Sequence, residues 1–153
     1  MKAHIAVDED SGLVHSVIGT AGNVADINKA NDLLHGQETR AYGDAGYTGV
    51  QKRDDAKPDV HWHVAMKRAK RAALDKAQGG LGAVLDKLEK VKAQIRARVE
   101  HPFRVLKCQF GYRKVRYKGL VKNTQQLHTL FALTNLWQAR HKLMQLQAQV
   151  RPA

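Results

Sequence analysis

Two carboxylates stand where their neighbours leave them available for chemistry. Asp44 ends the apolar start of TRAYGDAGYTGVQKR, between Gly43 and Gly46 and close to Tyr47. An acid just past the carboxyl end of a strand is where open α/β sheets build their sites, which suits a metal-binding carboxylate. The same local pattern also makes a turn, with the Asp side chain bonded to nearby backbone. Glu100 is the only acid between Lys90 and Ala153, a span with 14 Lys and Arg. Such a carboxylate stays ionised and can serve Mg²⁺ or Mn²⁺ as a hard oxygen ligand. The plainer alternative is a surface helix pair with Arg96 or Arg104, worth about 0.3–0.5 kcal/mol. Helical periodicity puts Arg96 on the side of Glu100 one turn before it, and Lys107 two turns after it.

Other candidates are thinner. His61 and His63 share a strand face, a two-ligand pair with no third nearby in sequence. The remaining six histidines show no ligand spacing. Arg113, Lys114, Arg116, Tyr117 and Lys118 mix charge with an aromatic ring in a loop suited to phosphate contact; simple solvation is the alternative. Trp137 and Phe131 read as core residues.

The elements that must carry these residues follow from patterning. KAHIAVD alternates polar and apolar, EDSG is a turn and LVHSVIGT a second strand, so Lys2–Thr20 is a hairpin. Asn23 or Asp26 caps a helix through DINKANDLLHG that Gly36 ends. TRAYGD is a third strand, TGVQKRDDA a short helix, and DVHWHVAMK a fourth strand. Residues 67–80 read as a loop or link. A long helix follows from Leu81, with Val84, Leu85, Leu88, Val91, Ile95, Val99 and Leu106 as its apolar stripe. Pro102 should kink or restart it. GYRKVRYKG is an exposed basic segment, and a last helix over 120–147 buries Leu127, Leu130, Phe131, Thr134 and Trp137. Strands first and helices afterwards give an α/β or α+β layering in one domain, 1–153.

Charge is the strongest global signal. Residues 1–60 carry net −4 and residues 61–153 net +16, which gives +12 overall. So basic a half favours a polyanion, most simply nucleic acid. No run of 18 apolar residues exists to span a membrane, and MKAHIAVDED lacks a signal peptide's apolar core. Cys108 is the only cysteine, which excludes an internal disulfide and fits a reducing compartment.

The stretch RARVEHPFRVLKCQFGYRKVRYKGLVKNTQQLHTLFALTNLWQAR resembles the C-terminal signature of bacterial insertion-sequence transposases. These are DDE enzymes of the insertion-sequence family five type, whose signature is Tyr-x2-Arg-x3-Glu-x6-Lys. Arg96, Glu100 and Lys107 match its last three positions, while Ala93 stands at the tyrosine position. AYGDAGYTG resembles the motif around the second aspartate of that family, and KAHIAVDEDSGLVHSVIGTAGNVAD resembles the segment before it. The resemblance implies a ribonuclease H-like mixed sheet with flanking helices. It implies three carboxylates that hold two divalent ions, Mg²⁺ or Mn²⁺, for in-line displacement at phosphorus. Asp44 and Glu100 would be catalytic ligands, with Arg96, Lys107, Arg116, Tyr117 and Lys118 as DNA contacts. The first strand and its aspartate, which normally precede KAHIAVD, are expected to be absent. Asp8 could be offered as a substitute, though it fits the opening of the DEDSG turn. The chain is then expected to be the C-terminal part of a catalytic domain in the bacterial cytoplasm, at the nucleoid. Its partners would be transposon ends, target DNA and a homo-oligomer or full-length transposase. Two rivals remain open: a non-catalytic basic DNA- or RNA-binding protein, and an inert transposase remnant.

Overall fold

The hairpin forms where the alternation places it. Strands β1 (Lys2–Val7) and β2 (Val14–Thr20) pair antiparallel, with Lys2 opposite Thr20 and Ile5 opposite Val17. In the computed structural model, which describes residues 1–75, 77 and 79–150, Asp8 closes the turn. Its Oδ1 accepts from the Ser11 backbone N–H at 2.7 Å and from the Ser11 hydroxyl at 2.6 Å. The turn reading of Asp8 therefore holds, and these bonds keep its carboxyl below the usual range.

The expected helix over DINKANDLLHG is a 3₁₀ turn, Asp26–Lys29, followed by one α turn, α1 (Ala30–Leu33). Neither Asn23 nor Asp26 caps it. Ala25 is the cap residue, because the Asp26 side chain is drawn to Lys2 and His4 on β1 instead. Strands β3 (Arg40–Gly43) and β4 (His61–Val64) pair in parallel. Two 3₁₀ turns, Ala45–Tyr47 and Val50–Lys52, form the short helical segment between them. A short helix α2 (Arg68–Ala72) lies within 67–80, where Lys76 and Gln78 fall outside the described residues.

Helix α3 (Leu81–Arg96) reverses the expected polarity. Asp86 and Glu89 are its buried residues, while Val84, Leu88 and Val91 are more than half exposed. The reason is ionic. Arg71 Nε donates to Asp86 at 2.9 Å, the Met66 N–H donates to Glu89 Oε2 at 2.7 Å, and Lys92 reaches Glu89 Oε1 at 2.8 Å. Burial lifts the Glu89 carboxyl, but Lys92 and the Met66 N–H outweigh it and hold the group below its ordinary value. A buried carboxylate with such partners outcompetes a weak apolar stripe for the inward face.

The helix also breaks earlier than Pro102 suggests. A 3₁₀ turn, Ala97–Val99, separates α3 from α4 (Glu100–Cys108), and Pro102 sits buried in the first turn of α4. There its missing N–H leaves no bond unmade. Glu100 consequently opens a helix rather than lying inside one.

Helix α5 (Leu120–Val150) covers the hairpin. Ile5, Val14, Leu106, Tyr112, Leu127 and Phe131 form the core, and Phe103 meets Phe131 edge to face at 5.5 Å. Leu127, Phe131 and Thr134 are buried as expected and Leu130 half-buried, but Trp137 is 38% exposed, with the Arg140 guanidinium 4.2 Å from its ring centre. It stands one and a half turns past Phe131, where α5 has run beyond the sheet. Tyr112, expected in an exposed segment, is buried in the core. Asn135 covers the outer edge of β2, accepting from the Val14 N–H at 2.9 Å and donating to the Val14 carbonyl at 2.7 Å.

Gly19 allows this close approach. A Cβ there would overlap the Thr124 hydroxyl, and that hydroxyl is held by the Leu120 carbonyl at 2.9 Å. Gly19→Ala is expected to lower stability by about 1–3 kcal/mol in chemical denaturation. Adding Thr124→Ala should recover most of the loss. An unchanged midpoint for the single variant would show that α5 does not sit this close.

Among the described residues the strands form two separate two-stranded sheets, β1–β2 and β3–β4, rather than one mixed sheet. The free edges of β1 and β3 face each other across a groove of about 760 Å³, floored by Leu33, Ile95, Val99 and Phe103. Lys2–Asp26 at 2.8 Å and Arg40–Glu9 at 2.6 Å are ion pairs among its lining residues. No helix of the described residues is long and apolar enough to cross a membrane.

Candidate active site

Asp44 is the first residue past β3. Its Oδ1 accepts the Gly46 N–H at 2.8 Å and so caps the 3₁₀ turn Ala45–Tyr47. The turn reading and the ligand reading are thus compatible, because one oxygen fixes the side chain and leaves the other free to face the groove. That other oxygen, Oδ2, lies 3.9 Å from Arg96 Nη1. Glu100, on the first residue of α4, brings Oε1 to 3.6 Å from Arg96 Nη2. One guanidinium therefore touches two carboxylates with 55 residues between them in sequence. The Glu100 side chain is 73% exposed and that of Asp44 49% exposed, so both are open to a ligand.

A third carboxylate belongs to this corner, and the sequence reading missed it by treating it as a cap. Asp26 Oδ1 lies 2.8 Å from Lys2 Nζ and 3.0 Å from His4 Nδ1. Gly46 passes between it and Asp44: a Cβ at Gly46 would be 2.9 Å from Asp44 Oδ1 and 3.3 Å from Asp26 Oδ2. An acid before an apolar segment reads as a helix start whatever it does in space, so only the tertiary arrangement separates the two roles.

His4 is 3% exposed. Its Nε2 contacts the Thr20 hydroxyl at 2.8 Å, and Nδ1, though near Asp26, is too poorly aligned for a hydrogen bond. Burial lowers its pKa, with Asp26 pulling the other way. His4 thus packs as a neutral ring beside Asp26, whose carboxylate is held by Lys2. Tyr47 stacks on Trp62 with ring centres 5.5 Å apart. Burial, then the charges of Asp26 and Asp44, push its hydroxyl up to about 12. It stays protonated at neutral pH, able to donate beside the acids.

The donor set is all carboxylate oxygen, the kind Mg²⁺ and Mn²⁺ take, with room for water and phosphate. Arg96 already places positive charge between two of the acids. Asp44, Glu100 and Asp26 therefore supply the donor type a divalent cation takes, but their oxygens do not all lie within 4.8 Å of one another. His61 and His63 gain no third ligand among the described residues, and His63 instead stacks on Tyr42 at 4.9 Å.

The predicted DNA contacts separate into two places. Arg96 lies within the carboxylate corner and Lys107 is exposed along α4. Arg116, Tyr117 and Lys118 lie in an exposed loop, flanked by Gly111 and Gly119, both in the left-handed region at φ 64° and 88°. The buried Asn123 closes it, accepting from the Tyr117 N–H at 3.2 Å and donating to the carbonyls of Tyr117 at 2.7 Å and Gly119 at 2.6 Å. Arg113, Lys114, Arg116 and Lys118 make no ion pair among the described residues.

No solved structure matches the chain. The family model described as "Transposase DDE domain" matches residues 1–136, which takes in Asp26, Asp44, Arg96, Glu100, the basic loop and most of α5. The family implies DNA transposition, with DNA as partner and divalent metal as the usual requirement. A carboxylate corner assembled from three segments and an exposed basic loop suit that work, and the chain belongs to the transposase DDE domain family.

Proposed function

We propose that Asp44 and Glu100, with Asp26 beside them, hold divalent metal for phosphoryl transfer on DNA. The observation that carries this reading is the convergence of Asp44 and Glu100 on Arg96. Metal held there would polarise phosphoryl oxygens and activate the attacking oxygen. The chain's own residues do the rest. Gly46 N–H fixes the Asp44 carboxylate, Lys2 fixes Asp26, and Arg96 balances charge until phosphate arrives. Lys107 and the loop bearing Arg116, Tyr117 and Lys118 hold the DNA backbone. The spacing of Arg96, Glu100 and Lys107 supports the narrower reading, a bacterial insertion-sequence transposase of the family five type with a ribonuclease H-like catalytic domain. Such an enzyme would act at the nucleoid on transposon ends and target, as an oligomer.

The open groove supports a further part of the reading: an extended segment bearing an aspartate pairs between β1 and β3 and completes the carboxylate set. Without it, two or three ligands hold Mg²⁺ weakly and the protein cuts little DNA by itself.

Mn²⁺ binding, followed by electron paramagnetic resonance, tests the ligand assignment. Asp44→Asn and Glu100→Gln should each weaken Mn²⁺ binding by about tenfold or more, while Asp8→Asn leaves it unchanged. Equal binding by all four proteins would overturn the assignment. The basic loop favours a second reading, DNA binding without catalysis; salt-sensitive binding with no metal uptake would select it.

A further inference from the structure

His35 and Glu38 are three residues apart, but His15 lies 20 residues before His35, and the fold brings it to them. His15 projects from β2, His35 follows α1, and Glu38 precedes β3. One ligand atom from each lies within 4.8 Å of the other two. The imidazole rings meet edge to face with centres 4.9 Å apart. His35 Nε2 is 3.4 Å from Glu38 Oε1. Two ligands on a tetrahedral ion with bonds of about 2.0–2.1 Å stand about 3.3 Å apart, so this pair already has the separation that zinc requires. Closing the third member in from within 4.8 Å takes at most about 1.5 Å of movement from an exposed side chain on β2.

The surroundings hold two of the three ligands. The Glu38 carboxylate accepts the His35 N–H at 2.7 Å on Oε1 and the Gly36 N–H at 2.8 Å on Oε2. His15 Nδ1 is 3.0 Å from the Ser16 hydroxyl. A ring proton on Nδ1 can donate there, leaving Nε2 bare for a metal, the usual outer partnership of a ligating histidine. His35 must adopt the same tautomer, giving up a 3.3 Å contact from the Gln37 N–H to its Nδ1. That contact is long, so the cost is small.

We propose that His15, His35 and Glu38 form a second metal site, for Zn²⁺ or a similar borderline cation, separate in place and chemistry from the carboxylate corner. Two imidazoles and one carboxylate suit zinc, whereas the all-oxygen corner suits magnesium. The site ties β2 to the segment entering β3, from one two-stranded sheet to the other. Its role is to hold the two sheets in place at the end of the groove where Glu9 pairs with Arg40.

The experiment is ZnCl₂ titration of metal-stripped protein by calorimetry, with the absorption spectrum of a Co²⁺-loaded sample as an independent readout. One equivalent should bind, and Co²⁺ should give the intense visible bands of a tetrahedral site. His15→Asn and His35→Asn should each weaken binding by at least about tenfold and remove those bands. All three side chains are at or near the surface, so the variants should keep the wild-type circular dichroism. The double variant His61→Asn/His63→Asn should bind like wild type. The proposal is overturned by the absence of stoichiometric Zn²⁺ binding, by binding that survives loss of His15 and His35, or by binding that depends on His61 and His63.

Discussion

Mg²⁺-dependent cleavage should appear when an aspartate-bearing extended segment is supplied to the groove, and Glu100→Gln should remove it again. The edges of β1 and β3 run in opposite directions, since Lys2 lies beside Asp26 near Asp44 while Glu9 meets Arg40 at the start of β3. A strand inserted parallel to β3 is therefore antiparallel to β1 and satisfies both rows of backbone groups. Its leading end reaches the corner that holds Asp44. Glu100→Gln keeps the shape of the side chain and removes its charge, so the change tests electrostatics rather than packing. Loss of a ligand carboxylate should reduce the cleavage rate on the order of 10³-fold, the scale of several kcal/mol of transition-state stabilisation. Asp44→Asn should do the same. Cleavage of a labelled duplex followed on a denaturing gel gives the answer; equal cutting by the Glu100→Gln protein would refute the catalytic role of this corner.

Affinity for DNA should fall by about 10³-fold between 50 and 200 mM salt, whatever the sequence of the duplex. About six phosphate contacts are enough for that drop, because each contact releases counterions. Arg113, Lys114, Arg116 and Lys118 supply four exposed cations on one loop, and Arg104 and Lys107 are exposed on α4. Arg116→Ala and Lys118→Ala together should weaken binding to every duplex alike and flatten the logarithmic salt slope by about two. Fluorescence anisotropy at several salt concentrations measures both. Binding that is indifferent to salt would contradict the phosphate-contact reading.

Much of the framework was legible because it is local. Alternation placed both strands of the hairpin, and the polar break at Gly43–Gly46 placed the end of β3. The four-residue spacing of Arg96 and Glu100 placed these two side chains together, and Arg96 also reaches Asp44. What escaped was decided by partners distant in sequence. Asp86 and Glu89 turn α3 inside out because Arg71, Lys92 and the Met66 N–H await them, and no helical moment carries that information. Asp26 belongs to the carboxylate corner because Lys2 and His4 lie across from it on β1. Trp137 escapes the core because α5 outruns the sheet it covers. His15 and His35 meet only once β2 and the segment after α1 are folded together.

Asn123 has a thermodynamic consequence. By closing the basic loop from within, and with Tyr112 anchored in the core at its other end, it spends the ordering entropy of that loop during folding. DNA then meets cations already in place. The entropy gained from released counterions goes into association instead of being consumed by loop ordering. Calorimetry of DNA binding should accordingly show a reaction driven by entropy, with a small heat and a small change in heat capacity.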